Sequence, residues 1–336
     1  MPNRKPPTMA DIARVTGVSP MTVSRAFKGE NLISPDTRNA ILEAAESLGY
    51  VFDATASSLR SQKTDFVAVT IPSVNNANFA DTVGGLSDTV AAHGMQILLG
   101  YTNYDVVEEE RLIEQLLRRK PQAIVVTGGK HTPRARRLLE NAHIPIIETW
   151  DAPGEPIGHY VGFSNANAVR EMVDHLVGVG YRKIAFIGGD ASRDTRGSDR
   201  RLGFIEALTN HGLDANRLIS AGVPPISMRE GAEAMARLLK DFPDTEAVIC
   251  VSDLSAFGAL TECQRRQISV PSDIAIGGFG DYEIGDICVP RLTTINVGAR
   301  QIGVETGRLL LSILDGNSDA SNVTIVPRLI VRETTR

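Results

Sequence analysis

The sequence is poor in cysteine and in aromatic residues. Three cysteines, Cys250, Cys263 and Cys288, stand in a chain of 336 residues. Their number is odd and no two form a C-x-x-C pair, which argues against a disulfide framework; buried thiols in a reducing compartment are expected. Aromatic residues make up 5%, with one tryptophan. No apolar run reaches the roughly 20 residues that a membrane-spanning helix needs. Residues Met1 to Met9 are polar and Pro-rich, without the apolar segment of a secretory leader, so a cytoplasmic protein with no membrane partner is expected. Neither sign of charge dominates: 35 Lys and Arg face 40 Asp and Glu, for a net charge of −5. With 42% hydrophobic and 22% charged residues, the chain is neither disordered nor collagen-like.

The balance conceals an asymmetry. Residues 1–64 carry +2 and the remaining 272 carry −7. A small basic head on an acidic body suits a nucleic-acid module joined to a sensor or an enzyme. The head reads as three short helices. Thr8 is an N-cap with Asp11 as its box partner, Met9, Ile12, Ala13 and Val15 form an apolar face, and Gly17 ends the helix. Ser19 caps the next helix, with Pro20 at its first position. There Val23, Ala26 and Phe27 are spaced to pack inward. Pro20, Met21, Thr22, Ser24 and Arg25 lie on the opposite face and suit a groove. A third helix starts at Ser34-Pro35 and stops at Gly49. Two short helices about a tight glycine turn make a helix-turn-helix. Any three-helix bundle could share the pattern, but a head of about 60 residues buries little, and a DNA-facing helix gives it a purpose.

The stretch Met9-Ala10-Asp11-Ile12-Ala13 … Gly17-Val18-Ser19 … Thr22-Val23-Ser24-Arg25 … Leu48-Gly49-Tyr50 resembles the N-terminal signature of the LacI/GalR family of bacterial transcription regulators. The resemblance continues to Arg336. It implies a homodimer that binds double-stranded operator DNA, with Thr8, Ser19, Pro20, Met21, Thr22, Ser24 and Arg25 at the interface. It also implies that residues 53–64 form a hinge, whose Leu59 matches a leucine that wedges between base steps. Phe52-Asp53 stands where the family has Pro-Asn. No heptad pattern follows Arg332, so a dimer rather than a tetramer is expected.

From Phe66 onward, short apolar runs alternate with helical periodicity, the pattern of a doubly wound parallel sheet. Two such α/β series follow one another. The first has strands near Phe66–Ile71, Gln96–Leu99, Ala123–Thr127 and Pro145–Glu148. The second has strands near Ile184–Ile187, Leu218–Ala221, Ala247–Val251 and Ile274–Phe279. A helix over Arg300–Leu314 and a strand over Val323–Arg332 close the chain, with crossings near Thr293-Thr294-Ile295 and Pro327. The expected class is α/β, a helix-turn-helix head on a two-lobed body resembling the type I periplasmic-binding-protein fold. The expected domains are a DNA-binding domain over 1–52, a hinge helix or linker over 53–64, and an effector-binding and dimerisation domain over 65–336. In the last, lobe one covers about 65–163 and 294–325, and lobe two about 164–293 and 326–336.

Catalytic signatures are missing. Gly277-Gly278-Phe279-Gly280 lacks the third glycine of a dinucleotide loop, and Gly128-Gly129-Lys130 lacks the upstream glycine of a P-loop. Neither H-E-x-x-H nor G-x-S-x-G occurs. The six histidines are scattered, and only His131 falls in a strand-to-helix loop expected to face the cleft. No enzyme activity, cofactor or metal is expected. Ligands in parallel α/β sheets sit beyond the carboxyl ends of the strands. This points to Ser73, Asn78 and Phe79, to Glu148, Trp150 and Asp151, and to Asp190–Arg200, Ile226, Ser252-Asp253 and Phe279–Asp281. The resemblance assigns effector contact to Arg200, three residues before Gly203, and to Phe79 and Ser252. Gly278-Phe279-Gly280-Asp281 replaces the family's Gly-Tyr-Asp, so the hydroxyl acceptor is absent or displaced to Asp281. Arg193, Arg196 and Arg200 near the cleft suit an anionic sugar. Pro72-Ser73-Val74-Asn75-Asn76, His131-Thr132-Pro133-Arg134, Val161-Gly162-Phe163 and Glu262-Cys263-Gln264-Arg265 resemble the gluconate-operon repressors. The effector set is therefore Asn78, Phe79, Trp150, Arg196, Arg200, Ile226, Ser252 and Asp281. A regulator of sugar-acid catabolism is expected; a regulator that answers to a neutral sugar, or a sugar-binding protein without DNA function, would be the alternatives.

Overall fold

A computed structural model describes residues 6–27, 32–52, 64–190 and 192–336. Residues 53–63 of the expected hinge, Leu59 among them, lie outside the described residues. The chain divides into Met1–Lys63 and Thr64–Arg336.

In the first unit α1 (Met9–Thr16), α2 (Pro20–Phe27) and α3 (Pro35–Leu48) surround a small core of Ile12, Ala13, Val23, Ala26, Ile41, Ala44 and Ala45. The ends follow the local chemistry. The Thr8 amide donates to the Asp11 carboxylate at 2.9 Å. Gly17 and Gly49 turn the chain at φ 71° and 67°, conformations that favour glycine. Phe52 stacks on Phe27 with ring centroids 5.0 Å apart and closes the unit.

The second unit holds two parallel sheets. The first contains β1 (Phe66–Ile71), β2 (Gln96–Tyr101), β3 (Ala123–Thr127), β4 (Ile146–Thr149), β5 (His159–Gly162) and β11 (Val323–Thr324), in the order β11-β5-β4-β3-β1-β2. The second contains β6 (Ile184–Gly188), β7 (Leu218–Ser220), β8 (Ala247–Cys250) and β9 (Ala275–Gly277), in the order β7-β6-β8-β9. Strands such as Phe66–Ile71 and Ile184–Gly188 are apolar almost throughout because helices cover both faces. Those helices are α4 (Ala77–Ala91), α5 (Val106–Leu117), α6 (Pro133–Glu140), α7 (Asn165–Gly178), α8 (Thr195–Asn210), α9 (Met228–Asp241), α10 (Asp253–Arg265), the single turn α11 (Glu283–Ile287) and α12 (Ala299–Leu314). Phe163, Phe186 and Phe204 are among the largest fully buried side chains; each stabilises by roughly 1.5–3 kcal/mol. α12 crosses α4 closely, since a Cβ on Gly303 would lie 2.0 Å from the Thr82 carbonyl oxygen.

The expected last strand is divided. β11 joins the first sheet, whereas β12 (Arg328–Ile330) pairs antiparallel with β10 (Thr294–Asn296). Pro327 lies between them, and its missing N–H and fixed φ interrupt a ladder. The C-terminus then binds the second sheet: Ile276 N–H donates to the Thr334 carbonyl at 3.0 Å. β5 carried no separate sequence signal, being four residues long among Pro and Gly. α4 begins at Ala77 because the Asn76 side chain accepts from Asn78 N–H at 3.1 Å and starts the helix.

Candidate functional site

On the head, α2 buries Val23 and Ala26 and exposes Pro20, Met21 and Arg25, while Thr22 and Ser24 are half-buried. Ser19 Oγ accepts from Thr22 N–H at 3.1 Å, and the two hydroxyls meet at 2.9 Å. Thr8 is exposed at the start of α1. Of the expected DNA contacts, all but Leu59 can thus be located; Thr8, Ser19, Pro20 and Met21 are exposed at the starts of α1 and α2, and Arg25 is exposed in the last turn of α2.

In the body, the strand ends of the two lobes enclose a cavity of about 140 Å³. Lobe one supplies Ser73, Asn75, Asn76, Asn78, Phe79, Tyr104 and Trp150. Lobe two supplies Asp194, Arg196, Arg200, the run Pro224–Ser227, Val251, Ser252, Leu254, Phe279 and Tyr282. Phe79, Trp150 and Phe163 form an edge-to-face aromatic series, Phe79 to Trp150 at 5.0 Å and Trp150 to Phe163 at 6.1 Å between centroids. Trp150 holds φ 68°, an unusual value for a bulky residue, and donates its indole N–H to Thr82 Oγ1 at 3.1 Å.

Two guanidiniums define the polar wall, both projecting from α8. Arg200 donates from Nε to Asn165 Oδ1 at 2.9 Å and from Nη1 to the Val251 carbonyl at 2.8 Å. Its plane lies over the Phe279 ring, 3.7 Å from the centroid. Burial draws its pKa down to about 10, so the group stays charged at neutral pH. Arg196 is buried and donates to the Thr127 carbonyl across the cleft at 3.2 Å. Asp194 is the one carboxylate on the wall, and it caps α8 by accepting from Gly197 N–H at 2.9 Å. Burial raises the pKa values of Tyr104 and Tyr282, keeping both phenols neutral. The lobes are also linked by Asn78 Nδ2 to the Gly280 carbonyl at 3.0 Å and by Tyr282 Oη to Asn76 Oδ1 at 2.7 Å.

Seven expected effector residues, Asn78, Phe79, Trp150, Arg196, Arg200, Ile226 and Ser252, line this cavity. Asp281 does not. Its carboxylate accepts from Arg332 Nη2 at 2.8 Å and from Asn296 Nδ2 at 2.7 Å, and Tyr282 takes the place on the wall. The turn through Gly280 and Asp281, with φ 126° and 54°, makes that exchange. His131 is also displaced: its ring is 2% exposed, between Glu109 and Glu148 beneath the loop. Glu148 and Asp151 stay off the wall as well. Sequence reasoning passed over Tyr104, Asn75, Asn76, Ser227 and Tyr282. Tyr104 follows a strand end and was within reach of the same rule; Tyr282 depends on the turn just described.

No His, Cys, Lys or Glu is among the residues lining the cavity. Among the described residues, no group of His, Cys, Asp and Glu side chains is arranged to hold a metal ion, and no helix is long and apolar enough to cross a membrane. The site has two cations, one carboxylate, neutral hydroxyls and amides, and an aromatic wall.

Residues 8–53 match the family model for bacterial regulatory proteins of the lacI family, and residues 173–335 match the model for a periplasmic-binding-protein-like domain. The chain is 34% identical over 310 residues to the HTH-type transcriptional regulator GntR of Pseudomonas aeruginosa, covering 92% of this chain and 90% of that protein. A LacI family transcriptional regulator from Silicibacter pomeroyi, known from a crystal structure, is 41% identical, with a TM-score of 0.77 over 81% of this chain and 99% of that one. Another LacI family regulator from that organism covers 98% of this chain and 100% of its own, at a TM-score of 0.92 and 29% identity.

Proposed function

The chain belongs to the LacI family of DNA-binding transcriptional regulators, and from that premise we propose that it represses sugar-acid catabolism genes and answers to an acid of the gluconate type. Two copies pair as a homodimer on a pseudo-palindromic operator. α2 enters the major groove with Pro20, Met21 and Arg25 toward base edges, while Thr8, Ser19, Thr22 and Ser24 serve the backbone. Leu59 wedges into the minor groove. Arg196 and Arg200 hold the effector carboxylate, Phe79 and Trp150 cover its carbon chain, Asn78 and Ser252 meet its hydroxyls, and Ile226 bounds it. Binding changes the lobe geometry and through it the hinge, a coupling that must be reciprocal.

One observation carries the effector reading. The wall has two guanidiniums, Arg196 buried and Arg200 half-buried, against a single carboxylate, which is already engaged in capping α8. A neutral sugar would bring no negative charge to these cations in a largely desolvated site. A carboxylate answers it through charge-assisted hydrogen bonds. Calorimetry with gluconate, glucose and a purine tests this: a neutral sugar or purine that binds more tightly than every sugar acid overturns the effector reading. A gel shift on the region upstream of the protein's own gene tests the operator reading, and equal retention of random DNA overturns it.

A further inference from the structure

The loop between β3 and α6 reaches lobe two through three neighbouring contacts. The Thr127 carbonyl receives Arg196 Nη1 at 3.2 Å. Gly128 lies against that same group, since a Cβ there would come within 2.8 Å of Nη1. Lys130 Nζ meets Asp199 Oδ1 at 2.6 Å. The loop therefore sets the lobe-one side of Arg196.

His131 holds this loop from beneath. Its Nδ1 lies 2.7 Å from Glu109 Oε2 on α5, and its Nε2 lies 3.4 Å from Glu148 Oε1 on β4. Both carboxylates are buried. The other Glu148 oxygen accepts from Ile157 N–H at 2.7 Å. Next along, Thr132 caps α6 through Ala135 N–H at 3.0 Å, and Glu110 receives both Thr132 Oγ1 and Arg134. Burying a cation between two carboxylates is a costly way to gain stability alone, because desolvation can exceed the attraction. What the cluster secures is a fixed loop position under Arg196.

We propose that the Glu109–His131–Glu148 cluster is a positioning device for the effector site, aligning the 128–132 loop so that it meets Arg196 and Asp199 of lobe two correctly. The proposal rests on the cleft being the effector site. Burial alone disfavours the charged ring, but the two carboxylates outweigh it and lift His131 to about 9. The charged groups around it are Glu109 on α5, Glu148 on β4, Lys130 with Asp199, and Glu110 with Arg134.

The test uses the full-length protein and His131→Gln, with Glu148→Gln as a second variant that keeps the His131–Glu109 contact. Expected are a roughly three- to thirtyfold loss of gluconate affinity and unchanged operator affinity without effector. Wild-type gluconate affinity should fall as pH rises through about 9, and H131Q should lose that dependence. Wild-type affinity and pH profile in both variants, or an equal loss of operator binding, would overturn the proposal. Hydrogen exchange gives a readout without ligand: residues 127–132 and 195–200 should exchange faster in H131Q, and unchanged exchange in both segments overturns it. If the wild type binds no sugar acid, the effector reading fails while the exchange experiment still decides the positioning claim.

Discussion

Arg200 keeps its charge in a half-buried place because most of its neighbours are polar or aromatic partners. Asn165 and the Val251 carbonyl take two of its donors and Phe279 takes its face. Asn165 also donates to the Trp150 carbonyl at 3.0 Å, so the cation and the aromatic wall share one amide. Arg200→Ala is expected to abolish the thermal shift produced by a sugar acid, at a cost of about 1.5–3 kcal/mol in binding, while operator binding persists. A shift equal to that of the wild type in a melting assay would exclude Arg200 from the site. Asp253, beside Ser252, shows a different titration. Burial raises its pKa to about 6, although Thr294 Oγ1 at 2.6 Å and Tyr282 N–H at 2.7 Å favour the charged form. The folded protein therefore binds a proton there more tightly than the unfolded chain, whose value is near 3.8. This group's contribution to stability is greatest below pH 3.8 and declines as pH rises to about 6. Asp253→Asn should remove that part of the stability–pH profile, and superimposable urea titrations of both proteins from pH 4 to 7 would contradict the assignment.

Among the elements, α2 pairs a buried face of Val23 and Ala26 with an exposed first turn of Pro20 and Met21. One helix thereby anchors to the head and still offers side chains outward. Arg25→Ala is expected to lower specific operator affinity by roughly 1–3 kcal/mol and relax one base position. Equal losses on specific and random DNA would reduce Arg25 to a phosphate contact. In the body, α8 performs the corresponding service for the cleft. Arg196 and Arg200 are four residues apart, so one helical face delivers both cations. Its own cap, Asp194, sets a negative charge beside them.

Across the body as a whole, the first sheet leaves β2 at its edge, with Leu99 and Tyr101 exposed. Unpaired apolar edges are surfaces that proteins normally cover. A homodimer built on this edge would cover both side chains. The double substitution Leu99→Lys and Tyr101→Lys should then shift the sedimenting mass toward the monomer and weaken operator binding. A variant that sediments as a full dimer would place the pairing surface elsewhere. The chain crosses between lobes three times, at β5 to α7, at β9 to β10 and at β11 to β12. Those crossings join the two lobes into one covalent unit.

The head was open to sequence reasoning because its signals are local. Caps, N1 prolines, glycine stops and 3.6-residue spacing act within a few residues, and each helix start and stop near Thr8, Ser19, Ser34 and Gly49 follows from them. The alternation of β and α was legible for the same reason, and with it the rule that ligands gather beyond strand ends. That rule led to Phe79, Trp150, Arg196 and Arg200. Position within the cleft was beyond its reach. Asp281 and Tyr282 are adjacent, and which of them faces the cavity depends on the turn at Gly280 and on an Arg332 side chain 51 residues away. His131 stands in the expected loop, yet its ring is drawn inward by Glu109 and Glu148, from two other elements. The pairing of β12 with β10 joins segments more than thirty residues apart. Such partners are chosen by packing and charge compensation in three dimensions, and spacing along the chain carries no trace of them.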